Sequence, residues 1–211
     1  MQTNRPLIVE PIGLDPDQLP RPIDWGELFG NDHPVEIEIG MGKGTFITEQ
    51  ARARPETNFL GIEWANWFWR YASDRLRRSK LLNARTIRAE ANFFLSEFVP
   101  PESVSVLHIY FPDPWPKKRH HKRRLVNERF MPLVHRILVP GGRVQIVTDH
   151  QDYWEENIEP AVRRARGFQV VDYKRPGSAG AGEFVGTNFE RKYAREGRPF
   201  YAIAAIKIDE E

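Results

Sequence analysis

From residue 35 the chain alternates short β-branched runs with helical stretches, and this alternation limits its fold more than any other feature. Val35–Ile39 reads as a strand, Thr45–Arg54 as a helix, Asn58–Ile62 as a strand and Trp64–Lys80 as a longer helix. Arg85–Ala89 and the strongly apolar Val104–Phe111 are the next strands, with a short helix near Phe93–Phe98 between them. Asn127–Leu138 is helical, Gly141-Gly142 turns into strand Arg143–Thr148, and a helix follows over about Gln151–Arg166. Phe168–Tyr173 and Phe200–Ile208 close the pattern without a full helix between them. Such alternation predicts an α/β fold: a mostly parallel sheet, helices on both faces and an antiparallel edge. Val104–Phe111 is the expected central strand, because only strands buried on both faces are apolar throughout.

The residues before 35 follow a different rule. Pro6, Pro11, Pro16, Pro20, Pro22 and Pro34 interrupt them, and proline removes a backbone donor and fixes φ. Residues 1–34 are therefore expected as a Pro-rich N-terminal arm outside the core, its end pinned onto the domain by Trp25, Leu28 and Phe29, and residues 35–211 as the folded domain. No apolar run approaches the roughly 20 residues that cross a bilayer, and no signal peptide is expected at the start. Cysteine is absent, which excludes disulfides, thiolate nucleophiles and cysteine metal sites. The six histidines show no metal-ligand spacing, so no metal is expected. The cytoplasm is the expected compartment.

Charge is balanced in sum but not in place. There are 31 basic and 29 acidic residues, yet Lys117–Arg124 reads Lys-Lys-Arg-His-His-Lys-Arg-Arg with no acid among them. A concentrated cationic patch on a balanced chain points to a local polyanion contact.

The loop Glu38-Ile-Gly-Met-Gly-Lys-Gly44 joins the first strand to the first helix. Glycine lets a ligand come close to the backbone, and open α/β sheets bind ligands at the carboxyl ends of strands. The spacing is neither a dinucleotide fingerprint nor a P-loop. Acidic or amide residues instead end three strands: Glu38, Glu63, and Glu90 with Asn92. This much negative charge repels a diphosphate. It suits a ligand with an ammonium for Glu38, a ribose diol for Glu63, and an adenine amino group for Glu90 or Asn92. S-adenosylmethionine has all three. The glycine loop with the second-strand acid resembles the class I S-adenosylmethionine-dependent methyltransferases. That resemblance implies a Rossmann-like, seven-stranded, mostly parallel sheet with an antiparallel last strand.

Tyr110-Phe-Pro-Asp-Pro-Trp-Pro-Lys117 follows the most apolar strand. Its alternating prolines fix where Asp113 points, and Trp115 offers a face for stacking a base. Continued through the basic run, the string resembles the bacterial tRNA (guanine-N7-)-methyltransferase family almost letter for letter. Val147-Thr-Asp149 and Gly186-Thr-Asn-Phe-Glu190 carry the same resemblance, which spans about residues 30 to 208. It implies methyl transfer from S-adenosylmethionine to N7 of a guanine in the tRNA variable loop. It implies cofactor contacts at Glu38, Gly40, Gly42, Glu63, Glu90 or Asn92, and Asp113, with Asp113 also the catalytic position. The family usually carries Asp at the third strand's end. Here the segment is Ala-Glu90-Ala-Asn92, either residue suits the adenine contact, and register favours Glu90. Substrate contacts are implied at Lys117, Asp149, Thr187, Asn188, Phe189 and Glu190.

Lys117, Lys118, Arg119, Lys122, Arg123 and Arg124 are the expected RNA phosphate contacts, with the Pro-rich arm and Arg191, Lys192 and Arg195 as secondary ones. No obligate protein partner is evident, and monomer and homodimer both remain open. Trp64, Trp67, Phe68 and Tyr71 recur at i, i+3, i+4, i+7 and are expected to face the core, leaving Trp69 off the stripe. His108, inside a strand, is expected to be buried and hydrogen-bonded.

Overall fold

The structure is a computed structural model that describes residues 5–209. Eight strands form one sheet in the order β1-β4-β3-β2-β5-β6-β8-β7. They are β1 (Gly13–Leu14), β2 (Val35–Ile39), β3 (Asn58–Glu63), β4 (Ala84–Arg88), β5 (Val104–Tyr110), β6 (Leu138–Thr148), β7 (Phe168–Val171) and β8 (Tyr201–Lys207). Every pairing is parallel except those of β8, which runs antiparallel to β6 and β7. The helices are α1 (Trp25–Phe29), α2 (Thr45–Ala53), α3 (Asn66–Arg78), α4 (Ala91–Glu97), α5 (Met131–Ile137), α6 (Gln151–Tyr153), α7 (Glu159–Arg164) and α8 (Asn188–Arg195). A π turn, Trp154–Ile158, joins α6 to α7. No helix among the described residues is long and apolar enough to cross a membrane.

Seven strands match the sequence expectation, and the eighth comes from the N-terminal stretch. Gly13 and Leu14 pair with Thr86 and Ile87 of β4. Ile12, Ile23 and Phe29 are buried, and the last two join the main core with Ile37, Leu60, Leu107 and Ile146. Phe29 anchors the end of the stretch, with Trp25 and Leu28 packed beside it as expected, whereas Ile12 and Ile23 are core contacts that the expectation of an arm outside the core did not include. Proline punctuates it without preventing short apolar contacts between the breaks. The turn expected at Gly141-Gly142 is present inside β6: Gly141 holds φ 74°, a Cβ on Gly142 would lie 2.7 Å from the Val139 carbonyl oxygen, and the register with β5 shifts between Val104 and Val106.

The aromatic stripe of α3 is turned the other way from expectation. Trp64 is 67% exposed and Trp67 36%, whereas Ala72, Ser73, Asp74 and Leu76 are buried. The cause is close packing of α3 on the glycine loop. A Cβ placed on Gly44 would lie 2.9 Å from the Ala72 Cβ, so only small side chains fit that face. The aromatic rings pack on one another outside, with Trp67 stacked on Tyr71 at 5.3 Å. Trp69, expected off the packed face, is half-buried against Gly13. Gly44 also sits at φ 66°, in the left-handed region. Gly44→Ala is therefore expected to lower unfolding stability by about 1–3 kcal/mol. An unchanged urea midpoint would contradict this close approach.

Candidate active site

The sheet order reverses between β2 and β5, which are adjacent, so the loops leaving their carboxyl ends open a crevice. Gly40, Gly42 and Gly44 hold φ of 74°, 53° and 66°, a path closed to other residues without strain. The Gly40 N–H donates to the Ile62 carbonyl at 2.8 Å, tying the loop to β3. Glu63 fixes it further: one carboxylate oxygen accepts from the Gly42 N–H at 3.0 Å, the other from the Ala65 N–H at 2.8 Å.

Glu38 is 5% exposed at the end of β2, and its Oε2 has no hydrogen-bond partner. Burial pushes its carboxyl up to about 8, partly opposed by a hydrogen bond to the Ile47 backbone, with the Glu63 charge adding to the rise. A buried carboxyl with an empty oxygen costs free energy in the bare fold and is therefore a place for a cationic or N–H-bearing ligand. On the same face of the sheet runs a row that the sequence did not reveal. Arg54 donates two hydrogen bonds to Glu36 at 2.6 and 2.7 Å. His108 Nε2 lies 2.8 Å from Glu36, and Nδ1 2.8 Å from the Tyr110 hydroxyl. Burial pushes Glu36 up, but the hydrogen bonds and charges of His108 and Arg54 outweigh it and hold the carboxyl at about 2. His108 is thus buried and doubly hydrogen-bonded, as its position in a strand implied.

Asp113 stands exposed on the loop after β5. Phe111 and Trp115, on either side, hold φ of 52° and 47°. Left-handed backbone at such bulky residues is strained and persists only where neighbours enforce it. The Phe111 N–H donates to the Val147 carbonyl at 2.8 Å, and the Pro114 carbonyl accepts from Arg124 Nε at 2.8 Å. The Arg123 guanidinium covers the Trp115 ring at 4.9 Å, so one of its faces already carries a cation.

Lys118–Arg123 forms a 3₁₀ turn, and Lys117, Lys118, Arg119, Lys122 and Arg123 are exposed. None of these five forms an ion pair among the described residues. Arg124 departs from the expectation of a phosphate contact. Its side chain is 0% exposed and its nitrogens are all engaged inside the protein. A cationic run marks a polyanion surface only where the side chains reach solvent, and the chain turns inward at its last member.

Several other site residues already have partners. Glu90 caps α4, accepting from the Asn92 N–H at 3.1 Å and the Phe93 N–H at 2.8 Å, while the Asn92 amide donates back to it at 3.2 Å. Asp149 pairs with Arg198 at 2.8 Å. Thr187 Oγ1 caps α8 by accepting from the Glu190 N–H at 3.1 Å. The Glu190 carboxylate, 1% exposed, accepts from the N–H groups of Phe184, Val185 and Gly186. Thr187 and Glu190 thus lock the loop before α8, a variant of the capping box. Phe189 is 47% exposed and reaches within 3.8 Å of where a Gly42 Cβ would sit. The Asn188 side chain lies outside the described residues.

Glu38, Gly40, Gly42, Glu63 and Phe189 therefore meet at the glycine loop, and Asp113 stands on the neighbouring loop. Arg124 faces away from solvent on that same loop's underside. Sequence reasoning missed Arg54, Glu36 and Arg198, which no spacing marks. The Thr-x-x-Glu string was read only as substrate contacts implied by the resemblance, and its spacing is the signal that could have marked the cap.

Residues 32–203 match a family model described as "Putative methyltransferase". A tRNA (guanine-N(7)-)-methyltransferase of Geobacter metallireducens is 37% identical over 205 residues, covering 96% of each chain. One from Geobacillus thermodenitrificans is 38% identical over 192 residues, covering 91% of this chain and 88% of its own. The fold is shared with the 16S rRNA methyltransferase KamB, at TM-score 0.64 and 16% identity over 88% of this chain and 93% of that one. With the family model matching most of its length and relatives above 30% identity along nearly all of it, the chain belongs to the tRNA (guanine-N(7)-)-methyltransferase family.

Proposed function

We propose that this protein methylates N7 of a guanine in the variable loop of tRNA, with S-adenosylmethionine as methyl donor. The observation that carries this reading is the buried, unpartnered Glu38 oxygen at the glycine loop, one strand away from a rigid loop that joins Asp113 to exposed cations. Glu38 would hold the donor's ammonium and Glu63 its ribose hydroxyls, each Glu63 oxygen keeping a lone pair beyond its backbone bond. Glu90 keeps spare lone pairs beside the Asn92 amide, so this pair would read the adenine edge. The donor supplies an electrophilic methyl on a sulfonium that leaves as a neutral sulfide.

Guanine N7 carries an in-plane lone pair and no proton at neutral pH, so no residue must act as general base. The protein's work is placement and charge stabilisation. Asp113 or Asp149 would accept from the N1–H and N2–H edge of the base, and Asp113 would steady the positive charge that the ring acquires. Asp149 engages by exchanging its Arg198 partner for the base. Lys117 and the Thr187–Glu190 loop, with Phe189 exposed at its tip, complete the nucleotide pocket. Catalysis belongs to the domain that begins at residue 35, and residues 5–34 act as a strap secured by Ile12, Ile23 and Phe29.

The decisive assay incubates unmodified tRNA with protein and donor and resolves the nucleosides by mass spectrometry. The expected product is 7-methylguanosine; a different methylated nucleoside, or none, overturns the reading. The exposed cations make a second prediction. With all five engaged, log affinity for tRNA falls with log salt at a slope of roughly −3.5 to −4.5. Replacing Lys118, Arg119 and Lys122 together by methionine flattens it by about two units. A slope near zero for the unaltered protein contradicts this docking surface.

A further inference from the structure

Arg124 ends the basic run but is fully enclosed. Its Nε donates to the Pro114 carbonyl at 2.8 Å, and Nη1 donates to Glu156 at 3.0 Å and to the Asn157 side-chain oxygen at 2.6 Å. Nη2 lies 3.1 Å from His121 Nε2. His121 in turn lies 3.2 Å from Glu156 through Nδ1. The guanidinium plane rests over the Tyr153 ring at 5.0 Å, and the Tyr153 hydroxyl accepts from the Val126 N–H at 2.8 Å.

A buried cation lowers the free energy of a fold only when its donors are met, and here every nitrogen has a partner. Those partners come from three separate segments: the loop after β5, the 3₁₀ turn that carries His121, and the π turn. Pro114 immediately follows Asp113 on the strained loop after β5. Glu156 and Asn157 lie in the π turn, where the extra residue per turn brings consecutive side chains to one nitrogen. Such turns are frequent at functional sites. The guanidinium is a rigid planar fork, so fixing it at three nitrogens fixes the Pro114 carbonyl relative to the α6–α7 segment. The left-handed residues Phe111 and Trp115 require such restraint from outside.

We propose that Arg124 is a positioning residue for methyl transfer: it makes no RNA contact, and it aims Asp113 by clamping the Pro114 carbonyl to the π turn. The proposal rests on Asp113 acting at the base, as argued above.

Three variants separate this role from a phosphate contact: Arg124→Lys, Arg124→Met and, on the far side of the clamp, Asn157→Ala. Rates are taken with saturating tRNA and donor and divided by the number of donor-binding sites, so a loss of folded protein does not count. Arg124→Lys keeps the charge but not the fork. It is expected to lower kcat about ten- to a hundredfold, the effect of misplacing a reacting group by an ångström or less. Its donor affinity, tRNA affinity and salt slope stay at the unaltered values. Arg124→Met is expected to leave the salt slope unchanged, because no phosphate is lost. Arg123→Met, the exposed neighbour, flattens it by about 0.7 to 0.9.

Full kcat in Arg124→Lys, or a slope in Arg124→Met flattened as in Arg123→Met, overturns the proposal. Asn157→Ala carries the test if the Arg124 variants do not fold: reduced kcat with unchanged tRNA affinity supports the clamp, and full kcat refutes it. The unaltered protein's nucleoside products report independently on the methyltransferase reading, so its failure is distinguishable from failure of the clamp.

Discussion

Asp113→Asn is expected to lower the single-turnover rate of methyl transfer by about 10²–10³-fold, the usual loss when a preorganised electrostatic group is removed. Asparagine keeps the size of the side chain and one acceptor but removes the negative charge. Positive charge passes to the guanine ring only as the methyl moves, so most of what Asp113 contributes is realised in the transition state. The loop that carries it is held from outside, by the Phe111 N–H on the Val147 carbonyl and by Arg124 on the Pro114 carbonyl. The variant should therefore fold normally and bind tRNA with little change, because the exposed cations are untouched. A rate within a few-fold of the unaltered protein would sink the electrostatic role.

Glu38→Gln is expected to weaken S-adenosylmethionine binding by about one and a half to three and a half orders of magnitude, from the roughly 2–5 kcal/mol that follows losing one partner of a buried charge pair. Isothermal calorimetry measures it. The pH dependence is the sharper signature. Burial raises the Glu38 carboxyl from 4.5 to about 8 in the fold, so the folded chain binds a proton that the unfolded chain has released. Stability of the ligand-free protein from this group is therefore full below about 4.5 and declines as pH rises towards about 8. The donor's ammonium needs the carboxylate, so its binding releases a proton and tightens as pH approaches 8. In Glu38→Gln both trends vanish: the ligand-free variant gains stability relative to the unaltered protein at pH 8, and donor affinity loses its rise. Donor binding with no proton release below pH 8 would contradict this account of Glu38.

The sheet was legible because its signals are local. Runs such as Val35–Ile39 and Val104–Tyr110 are buried on both faces, and glycines mark the ligand loop. What escaped the sequence depended on how elements meet. The α3 aromatic stripe has a core-facing period, yet the tight contact of Gly44 with Ala72 turns it outward. Arg124 is chemically identical to its neighbours in the run, and only the turn of the chain after His121 encloses it. The π turn leaves no periodic trace, since one inserted residue shifts the phase within a single turn. Glu90 reads as a strand-end acid, but its carboxylate also caps α4, a role more common for shorter side chains.

The central claim is that the acceptor atom is guanine N7 of tRNA. A tRNA transcript made with 7-deazaguanine in place of guanine keeps the pairing edge and lacks that nitrogen. Given donor with a labelled methyl, the ordinary transcript is predicted to take up label and the 7-deaza transcript none, although both bind. Equal labelling of the two transcripts would contradict the account.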